Sequence, residues 1–180
     1  METFELVPHP AHPPLHVTAV AARIIGKDAH WLTVRWRVEG TQALVLPPFA
    51  GRVRTDSLWQ TTCFELFVKP DGGEAYAEFN FSPSERWAAY DFYGYREGMA
   101  ERAMPRQPIC TPRRGQAVLI FDAVLPVAAL PALPASYALT AVIEEDGAGK
   151  SYWAMAHGRE VPDFHHASCF AARLAAPQAA

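Results

Sequence analysis

Two acids and an amide stand at positions where a charge is expensive. In residues 58–68, LWQTTCFELFV, strand alternation puts Trp59, Thr61, Cys63, Glu65 and Phe67 on one side and Phe64, Leu66 and Val68 on the other. The second set is a face aimed at a core, and the first carries a carboxylate among aromatic and sulfur side chains. Further on, YAEFNF (76–81) repeats the pattern, with Tyr76, Glu78 and Asn80 opposite Ala77, Phe79 and Phe81. The PDGG turn between the two runs makes a hairpin, so Glu65 faces Glu78 directly or on a diagonal. Carboxylates with Cβ atoms roughly 5 Å apart destabilise a sheet unless a cation, a retained proton or water intervenes. Arg86 and Arg96 are the cations in reach. Such a pair, set among ring faces, suits hydroxyl-rich ligands: rings pack on the C–H face of a sugar while Glu and Asn bond its hydroxyls.

These residues need a sheet to hold them. A third run, 86–93, follows the SPSE turn, and its alternation places Trp87, Asp91 and Tyr93 opposite Ala88, Tyr90 and Phe92. The expected ligand face therefore collects Glu65, Glu78, Asn80 and Asp91 among Tyr76, Trp87 and Tyr93, with Tyr90 and Phe92 assigned to the core. Other alternating or β-branched runs cover 16–25, 31–38, 42–46, 116–125, 136–144, 150–156 and 168–174. Sixteen prolines and 11 glycines cut the chain into short pieces. Many short strands with this punctuation predict an all-β fold, an antiparallel β-sandwich or jelly roll with little helix. Residues 97–115 read as a long irregular loop and 126–136 as a connection. Trp31 and Trp36 fall on opposite strand faces, so at least one is core. The chain reads as a single domain, 1–180. Its ordered core runs over about 15–174, between an N-terminal Pro/His-rich arm with His9, His12 and His16 and a short C-terminal tail.

The net charge of −3, with no basic run longer than Arg113–Arg114, points away from nucleic acid and anionic membrane. No apolar run reaches the length of a membrane span. Residues 1–15 carry neither the basic nor the apolar segment of an export signal, so the expected setting is cytoplasmic. Cys63, Cys110 and Cys169 are then reduced thiols; in an exported chain Cys63 and Cys169 could pair. His157, Asp163, His165 and His166 form the densest group of metal-capable side chains, but their spacing matches no compact zinc pattern. They read first as a packed turn, with His157, Asp163 and His165 the weak metal candidates.

Trp59 six positions before Glu65, then YAEFNFSPSERWAAYDFYGYR (76–96), then SYWAMAHGREVPDFHH (151–166), resemble DOMON-like domains related to family 9 carbohydrate-binding modules. The resemblance runs from about residue 15 to Leu174. It implies a jelly-roll sandwich with its ligand site on a concave sheet. In the sugar-binding relatives two tryptophans sandwich a terminal sugar while Glu, Arg and Asn bind its hydroxyls. Carried over, these are Trp59 and Trp153 for the rings, Glu65 for the acid, and Arg86 or Arg96 for the cation. Ser151 and Tyr152 stand where the relatives place an asparagine before the second tryptophan. Other DOMON domains bind haem through Met and His, and Met99, Met104, Met155 and His157 are present here.

The leading reading is a non-catalytic module for a carbohydrate or sugar-containing metabolite, its ligand-binding residues drawn from Trp59, Glu65, Glu78, Asn80, Arg86, Arg96, Trp153 and His157. No cofactor is expected. The alternatives are a haem-binding redox module on Met/His ligands and a protein-interaction scaffold. A glycosidase-like use of Glu65 and Glu78 is a weaker alternative: the pair could meet the separation of about 5 Å that retaining enzymes use, but hydrolysis also needs a deep cleft and one acid with a raised pKa, neither of which is visible in sequence.

Overall fold

A computed structural model describes residues 2–176. Twelve strands build it, all paired antiparallel: β1 (Phe4–Pro8), β2 (Ala19–Lys27), β3 (Trp31–Glu39), β4 (Cys63–Pro70), β5 (Tyr76–Phe81), β6 (Trp87–Phe92), β7 (Ala100–Glu101), β8 (Ile109–Arg114), β9 (Val118–Pro126), β10 (Ala135–Glu145), β11 (Gly149–Ala154) and β12 (Ala172–Leu174). One path of neighbours, β7-β6-β5-β4-β10-β11-β1-β2-β3-β9-β8, curls back on itself, and β12 adds to β10. The result is a β-sandwich with β1-β2-β3-β9-β8 as one layer and β11-β10-β4-β5-β6-β7 as the other. Helix is limited to short 3-10 turns, and among the described residues no helix is long and apolar enough to cross a membrane.

Between the layers lies a close-packed aromatic core. Phe64 stacks on Phe121 with ring centres 4.4 Å apart, and Trp36 tilts against Phe64 and Phe81. Phe79, Leu66, Leu119, Leu125 and Leu139 complete it, all fully buried. The alternation expected for the first hairpin holds: Phe64, Leu66 and Val68 of β4 and Ala77, Phe79 and Phe81 of β5 point inward. Because side chains alternate strictly, the intervening residues must then face out of the second layer.

Several boundaries differ from the sequence expectation. The N-terminal arm is not free: β1 pairs with both β2 and β11 and joins the layers. The loop expected over 97–115 contains β7 and β8. The latter is an edge strand, where Pro112 and its missing N–H are tolerated. The expected strand at 42–46 is a 3-10 turn, Thr41–Ala43, followed by a single bridge from Leu44 to Glu145. The distal end of the expected C-terminal tail, 177–180, lies outside the described residues.

Glu145 explains how the start of the chain is held. Its buried carboxylate accepts three backbone N–H bonds, from Leu15 at 2.8 Å, His16 at 2.6 Å and Val17 at 2.9 Å. Glutamine can present only one acceptor oxygen there and turns an amide N–H toward another donor. We expect Glu145→Gln to lower unfolding free energy by about 1–2 kcal/mol in denaturant titration. Unchanged stability would show that this backbone nest is not part of the fold's stabilisation.

Candidate functional site

The outer face of the second layer is not an ordinary solvated surface. Cys63, Glu65 and Phe67 of β4 emerge there, beside Tyr76, Glu78 and Asn80 of β5 and Thr140 and Val142 of β10. Register pairs Glu65 with Asn80 on one side and with Thr140 on the other, so Glu78 stands diagonal to Glu65. Three segments cross this face: the turn at Leu58–Gln60, the loop at 93–99 and the segment at 156–170. Leu58, Phe164 and Cys169 from them cover a second apolar cluster with Phe67, Tyr76, Tyr90 and Phe92. What remains open is a cleft of about 620 Å³, within the roughly 300–1,000 Å³ span of small-molecule sites. Glu65, Glu78 and Asn80 form its floor, ringed by aromatic side chains.

The floor is buried and acidic. Glu65 is 3% exposed, and its Oε2 accepts from the Thr140 hydroxyl at 3.1 Å. Burial first, and then the charge of Glu78, push its carboxyl well above the usual carboxylate range. Asn80 Nδ2 donates to Glu78 Oε1 at 2.8 Å. Burial raises Glu78 to about 7, against the pull of that amide and of Arg96. Asn80 itself is 1% exposed, and its Oδ1 is buried without a hydrogen-bond partner.

The first layer's outer face supplies an internal comparison. Asp122 there receives Arg35 at 2.7 Å and Arg113 at 2.5 Å, and against its partial burial these guanidinium groups hold it below the ordinary aspartate value. A structural acid on a sheet is given cations. Glu65 and Glu78 are given none in direct contact.

Arg96 is the cation whose charge reaches both acids, but its hydrogen bonds go elsewhere. Its Nε and Nη2 donate to Asp163 Oδ1 at 3.1 and 2.8 Å, and the Tyr95 hydroxyl donates to the other carboxylate oxygen. Arg96 takes a left-handed conformation, φ 56°, in a turn closed by the Gly94–Glu97 bridge. Gly98 follows at φ 66°, and any Cβ there would run into the Tyr93 ring. The Tyr76 hydroxyl and His165 Nδ1 are 2.7 Å apart, while His165 Nε2 lies 3.7 Å from Glu78 Oε2. Burial and, next, the Arg96 charge push His165 down to about 4, so its ring is neutral at neutral pH.

Of the eight ligand-binding candidates, the structure brings Trp59, Glu65, Glu78, Asn80 and Arg96 to one cleft. Trp59 stands on the rim, 49% exposed, with Lys150 Nζ 5.7 Å from its ring centre. Three candidates are elsewhere. Trp153 is 2% exposed in the interlayer core, its indole N–H donating to Ser151 Oγ. It pairs with Ala141, an inward-facing residue, and alternation turns the neighbouring Tyr152 to the cleft instead. Arg86 is not among the cleft residues, and its Nε is buried without a partner. His157 bonds the Val7 carbonyl at 2.8 Å and packs edge-on against the His9 ring.

The third strand also corrects the expectation. Trp87 and Asp91 of β6 face the interlayer side, paired with Phe81 and Ala77, while Tyr90 and Phe92 line the cleft. Asp91 is accommodated at that edge by Arg102, and the Arg54 guanidinium lies 4.5 Å over the Trp87 ring. Asp56, Tyr152 and Phe164 also line the cleft without having been anticipated, and the Tyr90 hydroxyl donates to Asp56 at 2.5 Å. Parity within 150–156 carried the signal for Tyr152; nothing local marked Asp56 or Phe164.

The metal candidates are engaged within the protein: Asp163 with Arg96 and Tyr95, His165 with Tyr76, His157 with Val7. Among the described residues no group of three or more His, Cys, Asp or Glu could hold a metal ion. Met99 and His12 line the cleft, whereas Met155 packs against the core and its sulfur accepts the Leu139 N–H. All three cysteines are free and buried.

No protein-family model matches the chain, and no curated protein does. Among solved structures, a candidate carbohydrate-binding protein from Bacteroides uniformis is similar to it at a TM-score of 0.67 and 18% identity, over 93% of this chain and 83% of that one. A family 9 carbohydrate-binding module from Caldicellulosiruptor kristjanssonii in complex with glucose aligns at 0.46 and 10% identity, over 83% and 73% of the two chains. The same kind of module from that organism in complex with cellotriose aligns at 0.48 and 9%, over 83% and 71%. The first of these likenesses extends through both layers of the sandwich.

Proposed function

We propose that this chain is a non-catalytic binding module, DOMON-like in kind, whose cleft takes a carbohydrate or sugar-containing metabolite. The observation that carries the reading is the floor of Glu65, Glu78 and Asn80, buried and without direct cations, in a cleft lined by aromatic side chains. A fold does not need such a floor. Replacing buried polar groups by apolar ones of similar volume is commonly neutral or stabilising. The fold shared with a candidate carbohydrate-binding protein supports the same reading. Binding suits the site better than hydrolysis, because both acids are pushed in the same direction, whereas a glycosidase needs its two carboxyls driven apart in pKa.

Glu65→Gln tests this. Glutamine keeps the shape and the acceptor for Thr140 but replaces the other carboxyl oxygen with an amide N–H, which removes an acceptor for ligand hydroxyls. Affinity for sugar trimers, measured by calorimetry, is expected to fall at least about tenfold, in a variant whose melting curve shows it folded. Trp59→Ala removes a rim platform worth about 0.5–1.5 kcal/mol and should weaken the same ligands about two- to tenfold. Equal affinities in native protein and Glu65→Gln would dismiss the assignment.

A further inference from the structure

We propose that the ligand presents a protonated primary amine to the Glu65–Glu78–Asn80 floor, so that an aminated sugar, a hexosamine unit, is the preferred class of ligand. The inference rests on the sugar-binding reading and specifies it. Its basis is a count of donors and acceptors.

A cation seated against Glu65 and Glu78 favours their ionised form, and the floor is then built almost wholly of acceptors. One oxygen of each acid takes a bond within the sheet, from Thr140 and from Asn80. The amide that serves Glu78 thereby directs its own carbonyl, Asn80 Oδ1, to a buried place with no partner. His165 Nε2, 3.7 Å from Glu78 Oε2, is outside hydrogen-bond distance. The Arg96 guanidinium spends its Nε and Nη2 on Asp163. An orphaned buried acceptor beside two acids costs free energy until a donor arrives.

A sugar hydroxyl brings one donor and no charge. An ammonium brings three donors and a full positive charge on a single atom, matching three acceptor groups. The walls agree with that choice. Tyr90, Phe92, Tyr152, Phe164 and Trp59 line the cleft, and aromatic rings attract a cation. Asp56 adds a further acid at the wall, and Tyr90 already donates to it. An anionic ligand would meet two acids, and an N-acetylated one would bring a carbonyl acceptor to a floor of acceptors.

The experiment compares three matched trimers carrying the same linkage: glucose, glucosamine and N-acetylglucosamine. Native protein is titrated calorimetrically with each, near neutral pH. The glucosamine trimer is expected to bind at least about tenfold more tightly than either of the others. In Glu78→Gln, folded as judged by its melting curve, that preference should collapse to about twofold or less. Equal binding of the glucose and glucosamine trimers, or tightest binding of the acetylated one, overturns the amine and leaves the sugar reading standing. A preference that survives Glu78→Gln unchanged also overturns it, since the amine would then be read elsewhere. Failure of all three trimers to bind overturns both readings together.

Discussion

His165→Phe should tilt the stability of this protein downward with rising pH, and Glu78→Gln should tilt it upward. The two side chains face each other across 3.7 Å, and that approach admits either an ion pair or a neutral pair. Burial decides for the neutral pair. It raises Glu78 from 4.5 to about 7 and, helped by Arg96, lowers His165 from 6.5 to about 4. For Glu78 the folded state keeps a proton that the unfolded chain has released. Its contribution is fully present below pH 4.5 and is lost as pH rises through about 7. For His165 the sign is opposite. Its contribution is present above pH 6.5 and is lost as pH falls through about 4. Each shift corresponds to about 3 kcal/mol. In the native protein the two trends run against each other across the shared window, and Glu65, also raised, adds to the decline.

Substitution uncouples them. Relative to native protein, His165→Phe should lose about 3 kcal/mol more between pH 4 and 6.5. Glu78→Gln should recover a similar amount between pH 4.5 and about 7. Phenylalanine also gives up the contact with the Tyr76 hydroxyl, but that shifts the whole curve and leaves its slope alone. Urea titrations at stepped pH measure both slopes. If protonated His165 instead faced ionised Glu78, each would stabilise the other's charge, and both tilts would reverse.

How far the sequence reveals this arrangement depends on the length over which alternation is anchored. In β4 and β5 the apolar residues form complete inward faces, so alternation alone places Glu65, Glu78 and Asn80 together. In β6 the same rule misled. Alternation with an acid at position 91 predicts an outward Asp91, yet it lies inward at the sandwich edge, where Arg102 reaches it. One acid satisfied by a loop arginine inverted the parity of the strand, hiding Tyr90 and Phe92 from the site. The resemblance to sugar-binding modules names Trp59 and Glu65, which line the cleft, and Trp153, which lies in the core while its neighbour Tyr152 lines the cleft. A single step along a strand exchanges core for surface. The edge strand β8 was hidden by its proline, and β1 by the histidines and prolines after it. Which arginine serves the acids depends on a loop turning back at Gly94 and Gly98, a matter of tertiary packing that no local pattern encodes.

Arg96→Met should cost about 2–3 kcal/mol and loosen one wall of the cleft. Asp163 is the reason. Its side chain is 6% exposed, and although burial opposes ionisation, Tyr95 and Arg96 hold the carboxyl below the ordinary aspartate value. Removing the guanidinium leaves a buried carboxylate with the Tyr95 hydroxyl and the His165 backbone N–H. Losing one partner of a fully buried pair costs about 3–5 kcal/mol, and the half-exposed position of Arg96 lets water recover part of that. The reverse change, Asp163→Asn, leaves the charge on the solvent-facing member and should cost only about 1 kcal/mol. In the double variant no buried charge remains unpaired. Its loss should therefore be smaller than the sum of the two single losses, by about 1–2 kcal/mol, a coupling that a double-mutant cycle reads directly. Strict additivity would mean that the contact between the 93–99 loop and the 156–170 segment does not fasten the cleft. A clear coupling would identify it as a clasp between two of the segments that border Glu65 and Glu78.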